Sequence, residues 1–389
     1  MRNKSPEGQV RTASSAAERV LSHLLEQQAA LTRPMMATAC ELSRPTVFAA
    51  ISRLEELDLV RNIGQRSGGP GRSATLYEVS PAAGVLAAVD IGGSNTRAAV
   101  TDVRGQILAQ RREPTAPGGA PPIMAHAAEM VRTLLASVPV ETGRLKSVAV
   151  SVPGVLDRDG GTVHYAINIS QFTPFDFRGG LRAALGAEVT MENNVNLAAM
   201  GERWRGAARD LSTFAVVAVG AGIGAGIVHD GQLLRGAHGA AGEVAFLPPY
   251  GGRIRDHTMR KDEAGGLRLL EEATSRSDWR TEPPATVEEL FRRAAEGEET
   301  ATTLVENECR RIASVIAAVC AVVDPEMVVL TGGVGGNDAL IERAGELVST
   351  MTAFPPEVVR SELGERASLV GAIWLATQVA QRDLLGSIG

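Results

Sequence analysis

"GVLAAVDIGGSNTRAAVTDVRGQIL", residues 84–108, is the stretch whose reading decides the fold. An apolar run reads as a buried strand that ends at Asp90. Gly92 and Gly93 follow, then a second strand and a hairpin. Glycines at such a turn let the backbone come close to a ligand, although an ordinary strand-to-strand turn uses them too.

Working outward, "FAVVAVGAGIGAGIVHDGQLLRG" at 214–236 repeats the same order of strand, glycine turn, strand and hairpin. Between them, "LKSVAVSVPGVLDRDGGTVHYAINIS" reads as a strand, a loop through Pro153-Gly154 and a hairpin leading to Asn168. "DPEMVVLTGGVGG" is a strand ending in a glycine turn before a helix, and "ASLVGAIWLATQVAQ" is a terminal helix with small residues. Two similar units in one chain predict a duplicated α/β fold with a cleft between two lobes.

Bulk properties agree. The 389 residues suffice for two or three domains. Aromatics at 4% with 42 glycines favour an α/β protein with tight strand-to-helix turns over a sandwich or coiled coil. No apolar run approaches the roughly 18 residues of a membrane span, and the N-terminus lacks the apolar core of a signal peptide. Residues 1–15 read as a disordered leader. Cys40, Cys309 and Cys320 are scattered, which fits a reduced cytoplasm.

The net charge of -6 argues against nucleic-acid binding for the chain as a whole, but it is unevenly spread. Residues 1–80 hold 10 Lys+Arg and 8 Asp+Glu, a balance of +2, which leaves -8 for residues 81–389. In that first segment, "AAERVLSHLLEQQAAL" is an amphipathic helix and "RPMMATACE" a shorter one. In "LSRPTVFAAISRLEELDLV", Ser43 caps a third helix and Pro45 sits in its first turn. Val47, Ile51, Leu54 and Leu57 form its apolar stripe, opposite Arg44, Thr46, Ser52 and Arg53. "LVRNIG" and "SATLYEV" are two strands around the basic tip "QRSGGPGR". The order predicts a winged helix-turn-helix at 16–80, with Arg44, Pro45, Thr46, Ser52 and Arg53 facing the major groove. Arg66 and Arg72 of the wing would reach phosphates or a narrow minor groove. A small helical docking domain with a solvated loop is the alternative.

The ordered motifs "DIGGSNTR", "SVPGVLD", "ENNVNLAAMGE", "GAGIGAGIV", "GAAGEVAF" and "DPEMVVLTGGV" resemble the ROK family of repressors and sugar kinases. With the N-terminal segment, the chain resembles the family's transcriptional-regulator branch. The resemblance implies an α/β protein in which a winged helix-turn-helix precedes a two-lobed, actin-like ATPase (ROK) domain at 84–389. That domain would sense a ligand and hold the oligomer.

Several positions depart from the family. Its kinases carry Asn-Asp where this chain has Asn193-Asn194. The resemblance makes that Asp the general base that takes the sugar hydroxyl's proton. An amide has no such basicity, but it can donate to and accept from a hydroxyl. Asn193 and Asn194 therefore read either as sugar contacts without the base or as caps of the next helix. Glu192 or Asp157 would have to reach the hydroxyl instead. Glu243 stands at a family sugar contact, or is a salt-bridged surface carboxylate. Asn168 matches a further sugar contact, and Glu263 is a possible replacement for another. Phe246 stands where the family has a zinc-binding His, and no Cys occurs between Cys40 and Cys309. The family's Cys₃His zinc set cannot form there, and His238 and His257 read as surface residues. Asp90, Gly92, Gly93, Gly222, Gly224, Gly332 and Gly333 match places where family kinases hold ATP and Mg²⁺. Glycine turns need no ligand, however, and no cofactor or metal is expected.

The expected protein is a cytoplasmic repressor of carbohydrate genes that is not an enzyme. It would bind a double-stranded DNA operator with an inverted repeat, as a homodimer or homotetramer. Asn168, Asn193, Asn194 and Glu243 would answer to a sugar or sugar phosphate. The alternatives are a ROK sugar kinase with an added DNA-binding domain, and a regulator that needs no ligand.

Overall fold

A computed structural model describes residues 6–27, 29–66, 74–139, 143–156, 163–164, 175–247 and 264–388, with the side chains of 6–14, 66 and 164 outside the description. The N-terminal module comprises α1 (Pro6–Glu26), β1 (Leu31–Thr32), α2 (Arg33–Ala39), α3 (Arg44–Glu56), β2 (Val60–Arg66) and β3 (Ala74–Val79). Its antiparallel sheet has the order β1-β3-β2.

Helix α1 begins at Pro6, inside the stretch expected as a disordered leader. The local reason is composition: Pro6 suits a helix's first turn, and the helix formers Ala, Arg, Gln and Glu recur in the turns after it. Helix α3 starts as its sequence predicts, with the Ser43 side chain accepting from the Thr46 N–H. It buries Val47, Ala50, Ile51 and Leu54. Each buried aliphatic side chain there contributes up to about 1.5–3 kcal/mol.

The first lobe contains β4 (Val85–Ile91), β5 (Asn95–Asp102), β6 (Ile107–Pro114), α4 (Ala120–Ser137), β7 (Leu145–Val152), β8 (Val155–Leu156), β9 (Val163–His164), α5 (Phe177–Leu185) and β10 (Glu188–Asn193). Helix α6 (Asn194–Arg205) leads into the second lobe, which holds β11 (Phe214–Val219), β12 (Ile223–His229), β13 (Gln232–Leu233), α7 (Gly266–Ser275), α8 (Val287–Ala295), α9 (Glu299–Val323), β14 (Met327–Thr331), α10 (Gly332–Gly335), α11 (Asp338–Met351) and β15 (Glu357–Arg360). Helix α12 (Ala367–Gly386) ends the chain.

The predicted duplication is explicit in the topology. The sheets run β10-β7-β4-β5-β6 and β13-β12-β11-β14-β15. In each, the first strand of the lobe is central, paired antiparallel to the second and parallel to the fourth. The central strands β4 and β11 are almost wholly buried, as expected of strands covered on both faces.

Two helices cross between the lobes. Helix α6 leaves β10 of the first sheet but packs on β11 and β12 of the second. Helix α12 follows the second lobe but packs on β4 and β7 of the first. The two helices touch backbone to backbone. A Cβ on Gly371 would lie 1.8 Å from the Leu197 carbonyl oxygen, and one on Gly201 would lie 2.4 Å from that of Ala367. The far half of α12 and the residues after it share one apolar cluster with the N-terminal module, joining Leu384 and Ile388 to Leu21 and Leu24. Among the described residues, no helix is long and apolar enough to cross a membrane.

Candidate functional site

The cleft between the lobes has a volume of 380 Å³ and is lined from both sheets and both crossing helices. Asp90 and Arg97 come from the first lobe's opening strands, Asn193 and Asn194 from the β10–α6 junction, and Glu243 and Phe246 from the loop after β13. Gly220 and Gly222 of the β11–β12 turn and Gly332 after β14 complete the second wall.

Asp90 is 4% exposed. The Ser151 hydroxyl, on the paired strand β7, donates to Asp90 Oδ1 at 2.7 Å. Arg97 Nη1 lies 3.5 Å from Asp90 Oδ2. Burial nevertheless pushes the Asp90 carboxyl above its ordinary range, because desolvation outweighs these two partners. Arg97 turns its other nitrogen to Glu365, at 2.5 Å, just before α12. Any cation drawn to Asp90 therefore meets a carboxylate that already has a positive neighbour.

The two asparagines separate in role. Asn193 is the N-cap of α6: its Oδ1 accepts from Val195 N at 2.8 Å and Asn196 N at 3.0 Å. Its Nδ2 donates to the Gly154 carbonyl at 2.9 Å, which ties the Pro153-Gly154 loop to the helix start. For Asn193 the capping reading describes most of its bonds. Asn194 Oδ1 also accepts from Val195 N, at 2.9 Å, and its backbone carbonyl accepts from Ser368 Oγ of α12 at 3.0 Å. Asn194 thus lies where the cleft meets the α6–α12 contact.

Glu192 does not line the cleft. Its Oε1 accepts from Asn193 N at 2.9 Å and Asn196 Nδ2 at 3.0 Å, and its Oε2 pairs with Arg235 Nε at 2.6 Å. A carboxylate so occupied is a poor substitute base. Glu243 does line the cleft, and is half-buried. Its position follows from Gly242, which has a φ of 88°, and whose Cβ would lie 1.9 Å from the Ala225 carbonyl oxygen. Only glycine permits that approach to β12, where Ala225 N donates to the Gly242 carbonyl at 2.8 Å.

The structure brings Asn193, Asn194 and Glu243 together, with Phe246 beside them. Asn168, Asp157, Glu263, His257 and Arg72 lie outside the described residues, as does the side chain of Arg66. In α3, Arg44, Pro45 and Arg53 are exposed, and Thr46 and Ser52 half-buried. Sequence reasoning missed Arg97 and Glu365. Arg97 was findable, because strand pairing places it opposite Asp90. Glu365 is 268 residues from Arg97 and carried no local signal.

A duplicated α/β fold with a polar interlobe cleft defines a protein of the actin-like sugar-kinase class. Residues 86–257 and 264–379 match the ROK family, and the chain belongs to it. The chain is 33% identical over 312 residues to the bifunctional enzyme NanE/NanK of Brucella suis biovar 1 (strain 1330), an alignment covering 78% of this chain and 55% of that enzyme. It thus spans about half of that relative's length. The ROK hexokinase of Thermus thermophilus aligns with a TM-score of 0.66 at 28% identity, over 77% of this chain and 99% of the hexokinase. A ROK family transcriptional regulator, homologous to the E. coli MLC protein, aligns with a TM-score of 0.72. That alignment covers 97% of this chain and 99% of the regulator, and at 19% identity it is a likeness of fold alone. The expectation that the chain is not an enzyme is overturned by these relatives, since the bifunctional enzyme and the hexokinase are both catalysts.

Proposed function

We propose that this chain is a sugar kinase-type protein of the ROK family that also binds DNA through its N-terminal module. The observation that carries the reading is the convergence of Asn193, Asn194 and Glu243 with the glycine turns of both lobes in one cleft. Amides and a carboxylate suit a polyol, because each hydroxyl both donates and accepts. Mg-ATP would enter as substrate along the turns at Gly92-Gly93, Gly220–Gly222 and Gly332. Transfer would be slow, because Asn194 stands at the proton acceptor's place, and losing a general base costs about 10²–10⁴ in rate.

The DNA-binding reading rests on three helices, a two-stranded hairpin and the exposed Arg44 at the start of α3. As a winged helix-turn-helix in a cytoplasmic dimer, it would present two α3 helices about 34–36 Å apart to an inverted repeat. The N-terminal module and the cleft share α12, so closing the lobes around a sugar would shift the module. A coupling of about 1–3 kcal/mol would change operator affinity some 5- to 150-fold and make the protein a sugar-responsive regulator.

Two measurements test the reading. Calorimetric titration against hexoses and N-acetylhexoses should find a ligand, and Glu243→Ala should weaken it. Gel shifts on genomic fragments should show sequence-selective binding that Arg44→Ala weakens by roughly 1–3 kcal/mol. A protein that binds no sugar at millimolar concentration lacks the first function, and unchanged selectivity in Arg44→Ala removes the second assignment.

A further inference from the structure

Phe48 stands out on α3. Its neighbours Val47, Ala50, Ile51 and Leu54 are buried, whereas Phe48 is 54% exposed. It lies one turn after Arg44 and one turn before Ser52, on the side of α3 that also carries the exposed Pro45. An exposed phenyl ring there gives up the favourable burial a core position would return.

The ring is nevertheless held in place. Arg33, the first residue of α2, stacks its guanidinium on Phe48 at 4.4 Å from the ring centroid. The same guanidinium lies 4.9 Å from the ring of Tyr77 on β3, which is only 2% exposed. Arg33 is thus clamped between a core ring and a surface ring, and its Nε is buried with no hydrogen-bond partner among the described residues. One side of the ring is backed by a cation, and the rest faces outward one turn along from Arg44.

We propose that Phe48 reads a thymine in the major groove through its C5-methyl group, while Arg33, stacked behind it, contacts the adjacent phosphate. The inference rests on the DNA-binding reading of the N-terminal module. The chemistry is selective, because a phenyl ring cannot hydrogen-bond a base edge, and the thymine methyl is the apolar group the major groove offers. The guanidinium supplies the sequence-independent contact beside it.

The test uses the full chain and duplexes selected by it from a random-sequence pool. In the enriched duplex, each thymine is replaced in turn by uracil, which removes only the methyl group. At one thymine per half-site, the wild-type protein should lose roughly fourfold in affinity, the size of one buried methyl contact. Phe48→Ala should be indifferent to that same replacement and should no longer enrich thymine there. Phe48→Leu, which keeps an apolar side chain, should retain part of the preference. Arg33→Gln should weaken binding to all duplexes and reduce the salt dependence by about one released counterion. Circular dichroism checks that each variant is folded. If Phe48→Ala keeps the wild-type sequence selection and uracil sensitivity, the assignment is overturned. It is equally overturned if Phe48→Ala changes only the sedimentation mass, which would make the ring a self-association contact. If the wild-type chain enriches no duplex at all, the DNA-binding reading itself fails.

Discussion

The two lobes repeat one topology but furnish their opening turns differently. In the first lobe, Asp90 at the end of β4 faces Arg97 across the pair with β5. In the second, the matching pair of β11 and β12 holds Ala218 opposite Gly224. All four residues line the same cleft. Two residues further along, the first lobe carries Ala99, whereas the second requires Gly226, whose Cβ would lie 2.4 Å from the Val195 carbonyl oxygen of α6. The duplicated strands therefore divide the work. One copy brings charge to the cleft, and the other gives up side chains so that α6, with Asn194 at its start, can lie directly on the sheet.

The sharpest way to strain this contrast is to add charge at the seam between the lobes. Asn194→Asp puts a carboxylate where the proposed proton acceptor would stand, and sugar-dependent ADP release in a coupled assay should rise about 10²–10⁴-fold. An unchanged rate across hexoses and N-acetylhexoses would remove the proton-acceptor role proposed for position 194.

Next in size is the close approach itself. Gly226→Ala pushes a methyl group into backbone and should cost about 1–3 kcal/mol in denaturant unfolding. Gly224→Ala is a graded control, since its Cβ would meet only the Val195 side chain, with Cγ2 at 3.2 Å. It should cost clearly less, because a side chain gives way more easily than a carbonyl. Equal losses would remove the special role given to Gly226.

On the charged side, Arg97→Met takes the cation from Asp90 and leaves the Ser151 hydrogen bond. A cost of about 1–3 kcal/mol at neutral pH is expected, the size of an under-compensated buried polar group. Stability within experimental error of the wild type would show that Ser151 alone suffices.

The smallest effect tests the sign of Asp90's burial. Its folded pKa is raised, so the folded state binds more protons than the unfolded state between the unfolded value and the folded one. Asp90's contribution to stability is full below the unfolded pKa and is lost as pH rises through the folded one. Asp90→Asn should therefore raise the melting temperature slightly at pH 7, by about 1–2 °C, and bring no gain at pH 3. A loss of stability at pH 7 would show that the Arg97 and Ser151 contacts outweigh desolvation.

Much of this architecture was legible in the residues alone. The two strand–glycine–strand runs predicted the duplication, because buried strands read as apolar runs and turns read as glycines. Ser43 announced the start of α3 through its capping chemistry. The helix over residues 6–15 was missed, since a short stretch of mixed polar residues carries little periodic signal. The asparagine pair was read as one unit; both line the cleft, while Asn193 also caps α6 and ties it to Gly154.

The amino-acid sequence alone determined the repeated units, the family and the Asn193-Asn194 pair at the start of α6, because each is written in local pattern or residue identity. Only the tertiary structure decided that Glu192 is tied to Arg235 and Asn196, that Arg97 joins Asp90 to Glu365, and that α12 carries both the cleft wall and the N-terminal core. The Arg97–Glu365 and Glu192–Arg235 pairs lie 268 and 43 positions apart in the chain, and such partners come together only when apolar burial brings the two sheets and the crossing helices into contact.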